Sequence, residues 1–243
     1  MTNEWDKVAD SYSRAIGERG DYLRQALTNP YITSHLPSGG RGIRILDLGC
    51  GEGYLARLLP DSQMMGVDSS AALLNLARQK HSPGEWILAD ITQPLKLDGK
   101  FDAVVINMAL QDVEDVGGAL TNAHTYLNPG GVLVISVPHP AFRRPVGNWA
   151  RTVGDRLLGR EPFVRVRRYA TPFRARVRLA GIEHPTTIFH RPFSWYIKQV
   201  SRTGFRLVDV SELTLTEADV DKFGQPRFLT QVPAVLAMTY VKV

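Results

Sequence analysis

Cysteine is nearly absent from this chain of 243 residues. Cys50 is the single one, so no intramolecular disulfide can form, and a reducing, cytoplasmic setting is expected. Long apolar runs are missing as well. None approaches the roughly 18 residues that a bilayer span needs. The opening stretch Met1-Thr2-Asn3-Glu4-Trp5-Asp6-Lys7 lacks the apolar core of a secretory signal, so no membrane contact is expected. There is no internal repeat and no low-complexity tract, and no metal site is expected. Lysine is scarce beside arginine, 7 against 22.

What is present is an ordinary globular balance, 44% hydrophobic and 22% charged. The length suits one ample domain, or one domain carrying an inserted cap. The net charge of +5 is unevenly spread. Residues 141–191 hold 12 arginines and no lysine against Asp155, Glu161 and Glu183, a net of +9, so the remainder is −4.

Hydrophobic patterning gives the organisation. Residues 4–28 mix polar and aromatic positions and read as one or two short amphipathic helices. Pro37-Ser38-Gly39-Gly40 then breaks the chain. Strands are predicted over 43–48, 64–67, 86–89, 101–107 and 132–137, with helices over 54–59, 69–80 and 116–127. That alternation implies a parallel sheet with helices on both faces. The rhythm stops for about 50 residues. It resumes with a helix over 193–203 and strands over 205–211 and 234–241. Between these strands only 216–221 is a weak helical candidate, so the last strand is expected to be antiparallel. The fold class is therefore α/β: a Rossmann-like, doubly wound, mostly parallel seven-stranded sheet with an antiparallel last strand, plus a partly β cap insertion. Four parts are expected: an N-terminal helical lid (1–40), a nucleoside-binding core (41–137), a cap on the substrate side (138–190) and the C-terminal part of the core (191–243).

The first strand runs into Asp47-Leu48-Gly49-Cys50-Gly51-Glu52-Gly53-Tyr54. Glycines here let the backbone turn sharply and approach a ligand. Such a loop between strand and helix holds nucleotides in doubly wound sheets. A dinucleotide fingerprint wants Gly or Ala where this chain has Tyr54. Asp47 and Glu52 would also repel a pyrophosphate, whereas they suit a ligand carrying positive charge. Asp68 closes the second strand 19 residues after Gly49. An acid there either accepts from both ribose hydroxyls or only caps the next helix, a task open to Ser69 or Ser70. Asp90 closes the third strand, either as a turn residue or as an acceptor for an adenine amino group, with Ile91 against the ring.

ILDLGCGEG (45–53), GVDSS (66–70), LADI (88–91), FDAVVINMALQDVED (101–115) and LNPGGVLVIS (127–136) resemble, in order and spacing, the successive motifs of class I S-adenosylmethionine-dependent methyltransferases. More narrowly, the chain resembles the small-molecule methyltransferases of the methyltransferase-11 and -25 type. The resemblance implies S-adenosylmethionine as cofactor. It places Asp47 and the loop backbone at Gly49, Cys50 and Gly51 on the methionine part, and Asp68 with Ser69 at the ribose. Asp90 and Ile91 fall at the adenine, Asn107 and Met108 at the amino end. Tyr12 lies in an N-terminal region that in related enzymes folds over the cofactor. No universal catalytic residue comes with the resemblance.

Methyl transfer is an in-line displacement that depends on positioning, and some acceptors need a base. His139, between two prolines after the fifth strand, and His190, ahead of the next helix, are the candidates. His81 and His124 are expected to be solvated. The stretch 107–110 (Asn-Met-Ala-Leu) lacks the prolines and stacking aromatic found in enzymes that methylate base amines.

Phe173-Arg174-Ala175-Arg176-Val177-Arg178-Leu179 alternates strictly. Period two places Arg174, Arg176 and Arg178 on one strand face, and 186–189 is expected to pair with it as a hairpin. Together with Arg191, these arginines either pair with an anionic small-molecule substrate, meet nucleic acid, or form a solvated face in an arginine-rich chain. Few aromatics are interleaved, which disfavours nucleic acid. The expected function is methyl transfer to oxygen, nitrogen or carbon of a small molecule. The alternative is an RNA-binding or RNA-modifying methyltransferase using the arginine-rich insertion. A homodimer is compatible with either.

Overall fold

The computed structural model describes residues 3–80 and 84–243; His81 lies outside the described residues. The chain opens with α1 (Ala9–Ile16) and α2 (Asn29–His35), followed by β1 (Arg44–Leu48), α3 (Tyr54–Leu58), β2 (Gln63–Asp68), α4 (Ala71–Lys80), β3 (Glu85–Leu88), β4 (Phe101–Asn107), α5 (Val116–Tyr126) and β5 (Leu127–Pro138). The insertion adds β6 (Gly147–Ala150), α6 (Val153–Leu157), β7 (Phe163–Val166), β8 (Phe173–Val177) and β9 (Thr186–His190). Completing the chain are α7 (Phe193–Ser201), β10 (Phe205–Leu213), α8 (Glu217–Lys222) and β11 (Val235–Lys242).

The main sheet has seven strands in the order β10-β11-β5-β4-β1-β2-β3. Strands β1 to β5 pair in parallel, and β11 lies antiparallel between β5 and β10. The middles of the inner strands are mostly apolar because both faces are covered. On β1, Ile45 packs with Ile32 of α2 and Leu55 of α3. Its neighbour Leu46 packs with Leu120 of α5 and Val200 of α7 on the other face. Ala103 and Val105 of β4 join the first layer, Val104 and Ile106 the second. Each fully buried aliphatic side chain of this kind contributes about 1.5–3 kcal/mol of transfer free energy. No helix among the described residues is long and apolar enough to cross a membrane.

Two regions differ from the sequence reading. The helical N-terminal region continues past residue 28 as α2, because Pro30 falls in that helix's first turn, where a missing N–H breaks no helical bond. Inside the insertion, β6 and β7 form a second hairpin that no alternation announces. The arginine-bearing β8 pairs with β9 as expected, Phe173 opposite His190 and Val177 opposite Thr186.

Candidate functional site

Strand order reverses beside β1, which has β2 on one side and β4 on the other. The loops leaving β1 and β4 therefore diverge and open a crevice at the carboxyl edge, the place where doubly wound sheets bind ligands. Gly49 begins the β1 loop with φ 79°, and a Cβ there would lie 2.6 Å from that of Ala109 in the β4 loop. Only glycine permits both this backbone and this approach. Beneath the loop, the Gly49 N–H donates to the Val67 carbonyl (2.8 Å).

Asp68 ends β2. One carboxylate oxygen accepts from the Gly51 N–H (2.8 Å) and the other from the Ser70 N–H (2.9 Å). Ser70 Oγ accepts from Leu73 N–H at the start of α4, and Asp6 adds a bond to the Ala72 N–H. The helix is thus capped without Asp68, which keeps its place on the crevice. Asp90 makes an Asx-type turn, accepting from the Thr92 N–H (2.9 Å), and also lines the crevice. Buried Asn122 of α5 fixes that loop by donating to the carbonyls of Ile91 and Gln93, both 2.8 Å.

The crevice encloses a cavity of about 550 Å³, within the usual range of small-molecule sites. Its walls carry six carboxyl groups: Glu4, Asp68, Asp90, Asp112, Glu114 and Asp115. Among the described residues, no Lys, Arg or His lines it. Burial pushes the Asp68 carboxyl up, partly offset by its N–H donors. Burial also pushes Asp112 well up, with Glu4 and Asp68 adding repulsion. Asp47, buried beneath the loop, is raised to about 8 by burial and by Asp68. A bound cation relieves such a cluster, whereas a phosphate aggravates it. Among the described residues no group of three or more acids, cysteines or histidines is placed to hold a metal ion.

The roof comes from the N-terminus. Asn3 Nδ2 donates to Ser69 Oγ (2.8 Å), Trp5 meets Tyr12 edge-on, and all four residues line the cavity. Glu4 is also held by the insertion, accepting from Thr187 N–H and Oγ1 of β9. Behind Tyr12, buried Arg24 donates to the Tyr12 hydroxyl (3.0 Å) and pairs with Asp21 (2.7 Å).

Of the residues expected in the site, Tyr12, Gly49, Gly51, Asp68, Ser69, Asp90, Ile91 and Met108 line the cavity. Asp47 and Cys50 do not. Cys50 is buried, with its thiol directed to the Gly51 carbonyl. Asn107 instead accepts from Ser136 Oγ (2.6 Å). Met108 carries a left-handed backbone, φ 56°, fixed by its N–H to the Ser136 carbonyl (2.9 Å) and by Gln111 Nε2 on its own carbonyl. Strain of this kind accumulates at functional loops. Glu52 departs from its expected role. Its carboxylate is fully covered and bound by Arg57, Lys80 and Ser13, at 2.5, 2.5 and 2.6 Å. Its charge is neutralised inside the fold, and the negative character of the site comes from other acids.

His139 and His190 lie beside a separate small hollow, about 20 Å³, that they share with Gln111, Arg144 and Arg191. His139 Nδ1 accepts from the Ala141 N–H, so Nε2 donates to Glu212 (2.7 Å). His190 Nε2 donates to the Tyr169 carbonyl (2.7 Å). Arg191 differs from the expected substrate contact: its guanidinium donates to the carbonyls of Leu110, Val113 and Glu114, fixing the acidic wall. Arg174, Arg176 and Arg178 are exposed. Arg176 reaches Glu4 (3.5 Å) and the Pro185 carbonyl. Phe173 turns to the opposite face, against His190 and under Arg168, so it is not available to the arginine face for base stacking.

Sequence reading missed Asp112, Glu114, Asp115, Glu4 and Arg24. The signal for the first three was there: an acidic run directly after the carboxyl end of a parallel strand. For Glu4 and Arg24 no local signal exists, because only the folded N-terminus brings them over the sheet.

The methyltransferase-domain family matches residues 21–191. A trans-aconitate 2-methyltransferase from Azoarcus sp. (strain BH72) is 35% identical over 130 residues, covering 49% of this chain and 51% of that protein. A malonyl-[acyl-carrier protein] O-methyltransferase from Serratia marcescens is 28% identical over 155 residues, covering 61% and 60%. The matches thus span half to three fifths of those relatives' lengths. Among solved structures, an S-adenosylmethionine-dependent methyltransferase from Mesorhizobium loti superposes with a TM-score of 0.76 at 24% identity, covering 93% of this chain and 100% of that one. A glycopeptide N-methyltransferase bound to S-adenosylhomocysteine superposes at 0.62 and 18%, covering 96% and 97%. At these identities the structural likeness shows the fold alone.

Proposed function

The chain belongs to the methyltransferase-domain family, and from that premise we propose that it transfers a methyl group from S-adenosylmethionine to oxygen, nitrogen or carbon of a small-molecule acceptor, an anionic one by preference. One observation carries the donor assignment: a cavity of about 550 Å³ whose walls hold six carboxyl groups and, among the described residues, no basic one. A dinucleotide would bring two phosphates into that field. S-adenosylmethionine brings a sulfonium and an ammonium, and when bound it supplies an already activated methyl group.

In this reading Asp68 accepts from the ribose hydroxyls, and Asp90 with Ile91 receives the adenine. The turns at Gly49 and Met108 hold the methionine part above Asp47. Arg24, the cation behind Tyr12, balances its carboxylate. The segment 1–40 acts as a lid, and 138–190 as a cap that selects the acceptor. Where a base is needed, His190 suits better than His139. Burial lowers both imidazoles toward the neutral form. His190 keeps Nδ1 as a proton acceptor, whereas Nδ1 of His139 is already engaged. The anionic preference is supported by the basic insertion and by the names of the two relatives above. Turning Phe173 away from the arginine face supports a small molecule over RNA.

Titration calorimetry with S-adenosylhomocysteine tests the donor. Saturable binding is expected below 1 mM, with no response to NADH. The reverse pattern, or no heat and no thermal shift at 1 mM, rejects the assignment.

A further inference from the structure

A cleft of about 830 Å³ lies between the β8–β9 hairpin and the segment after β5. Its walls are mostly apolar, including Phe142, Trp149, Val177 and Ile188, and they carry three arginines, Arg143, Arg144 and Arg178. Of the insertion's other arginines, Arg176 reaches Glu4, Arg160 reaches Asp155 and Arg168 lies over Phe173, whereas Arg174 is also without a side-chain partner among the described residues but does not line the cleft. Among the described residues, no carboxylate, carbonyl or ring engages the guanidinium of Arg143, Arg144 or Arg178, although Arg143 is half-buried. One acid, Glu183, shares the cleft, and it pairs outward with Arg14 (2.8 Å).

The cleft shares walls with the small hollow, and hydrogen bonds link that hollow to the wall of the donor cavity. Pro138, Arg144 and Ile188 line both the cleft and the small hollow of about 20 Å³. Gln111 lines that hollow too, and its Nε2 donates to the Met108 carbonyl and to Asp112, two residues of the donor wall. Its Oε1 is buried without a partner. A space of that size takes a single hydroxyl or amine group and no ring.

Resting on the methyltransferase reading above, we propose that this cleft is the acceptor site, and that it selects a molecule with an apolar body and an oxyanion end. The apolar walls take the body, Trp149 forming one face. Arg143, Arg144 and Arg178 receive a carboxylate or phosphate. The hollow admits the one group that is methylated. Charge separates the two ligands, because an anion is repelled by the donor cavity and a cation by the arginines.

The test titrates 2-naphthoate, 2-naphthyl phosphate and neutral 2-naphthamide against the full chain, with and without 1 mM S-adenosylhomocysteine. At least one anion is expected to bind at least tenfold more tightly than the amide, the tighter one identifying the oxyanion. Arg143→Gln and Arg178→Gln should each weaken it at least fivefold at moderate salt, with S-adenosylhomocysteine affinity unchanged. Equal binding of the anions and the amide overturns the proposal, as does no binding at 5 mM or retained anion affinity in both variants. Arg178 is exposed, so its variant is expected to fold, and the anion–amide comparison needs no variant. Loss of S-adenosylhomocysteine binding with the anion preference intact would count against the donor assignment alone.

Discussion

The donor cavity and the arginine cleft lie side by side at one edge of the sheet and have opposite electrostatics. The first is built by loops that leave buried parallel strands, and its acids are fixed by main-chain donors such as the Gly51 N–H on Asp68. The second is built by short hairpins of the insertion, and its arginines stand half-buried or exposed. The invariant part of a transfer reaction needs rigid, desolvated groups. The part that distinguishes acceptors works with adaptable side chains on a separate element. The insertion's β9 meets the donor cavity at Glu4, which is held by Thr187 on one side and faces the cavity on the other.

The sharpest way to break this comparison is to ask whether the acids near the glycine loop all serve a ligand. Glu52 does not, and Glu52→Gln should lower unfolding free energy by about 3 kcal/mol, since Arg57 and Lys80 lose a buried counter-charge. Urea denaturation measures this; a change below about 0.5 kcal/mol would show the ion cluster to be incidental. The donor affinity of the folded variant should stay within about threefold, a shift of well under 1 kcal/mol.

Asp68→Ala makes the opposite prediction. Donor-product affinity should fall at least about tenfold in calorimetry, because the variant loses the ribose acceptor and the anchor of Gly51. Unchanged affinity would remove Asp68 from the site.

A smaller effect comes from pH. The Asp47 carboxyl titrates at about 8 in the ligand-free fold, above its ordinary 3.8. The fold therefore holds this proton more tightly than the unfolded chain does, and stability declines as pH rises from about 4 to about 8. A ligand ammonium held above Asp47, which lies beneath the cavity wall, is favoured by the ionised form without requiring it. Affinity for S-adenosylhomocysteine should then rise severalfold from pH 6 to 7.5, with proton release on binding. Calorimetry in two buffers of different ionisation enthalpy reads that release, and a flat profile would place the ammonium away from Asp47.

Much of the core was legible before folding was considered. Largely apolar runs such as 101–107 and 132–137 mark strands buried on both faces, and they returned as β4 and the second half of β5. Asp68 and Asp90 were legible because a strand end in a doubly wound sheet faces the crevice. Glu52 misled for a physical reason: its partners Arg57, Lys80 and Ser13 are 5, 28 and 39 residues away, and nothing local shows that they converge. Arg191 misled likewise, since three carbonyls about 80 residues earlier in the chain receive it. The β6–β7 hairpin escaped because four-residue strands carry too little period.

By itself the sequence determined the alternation of strands and helices, the glycine turn after the first strand, and the alternation that puts Arg174, Arg176 and Arg178 on one side of β8. These follow from short-range sterics and from the period of the backbone. Only the tertiary structure decided which charges stay free. Glu52 and Arg191 are consumed by distant partners, whereas Arg143 and Arg178 stand at the cleft with no ion-pair partner among the described residues. Charge is written residue by residue, but its neutralisation depends on chain segments that meet only when the sheet closes.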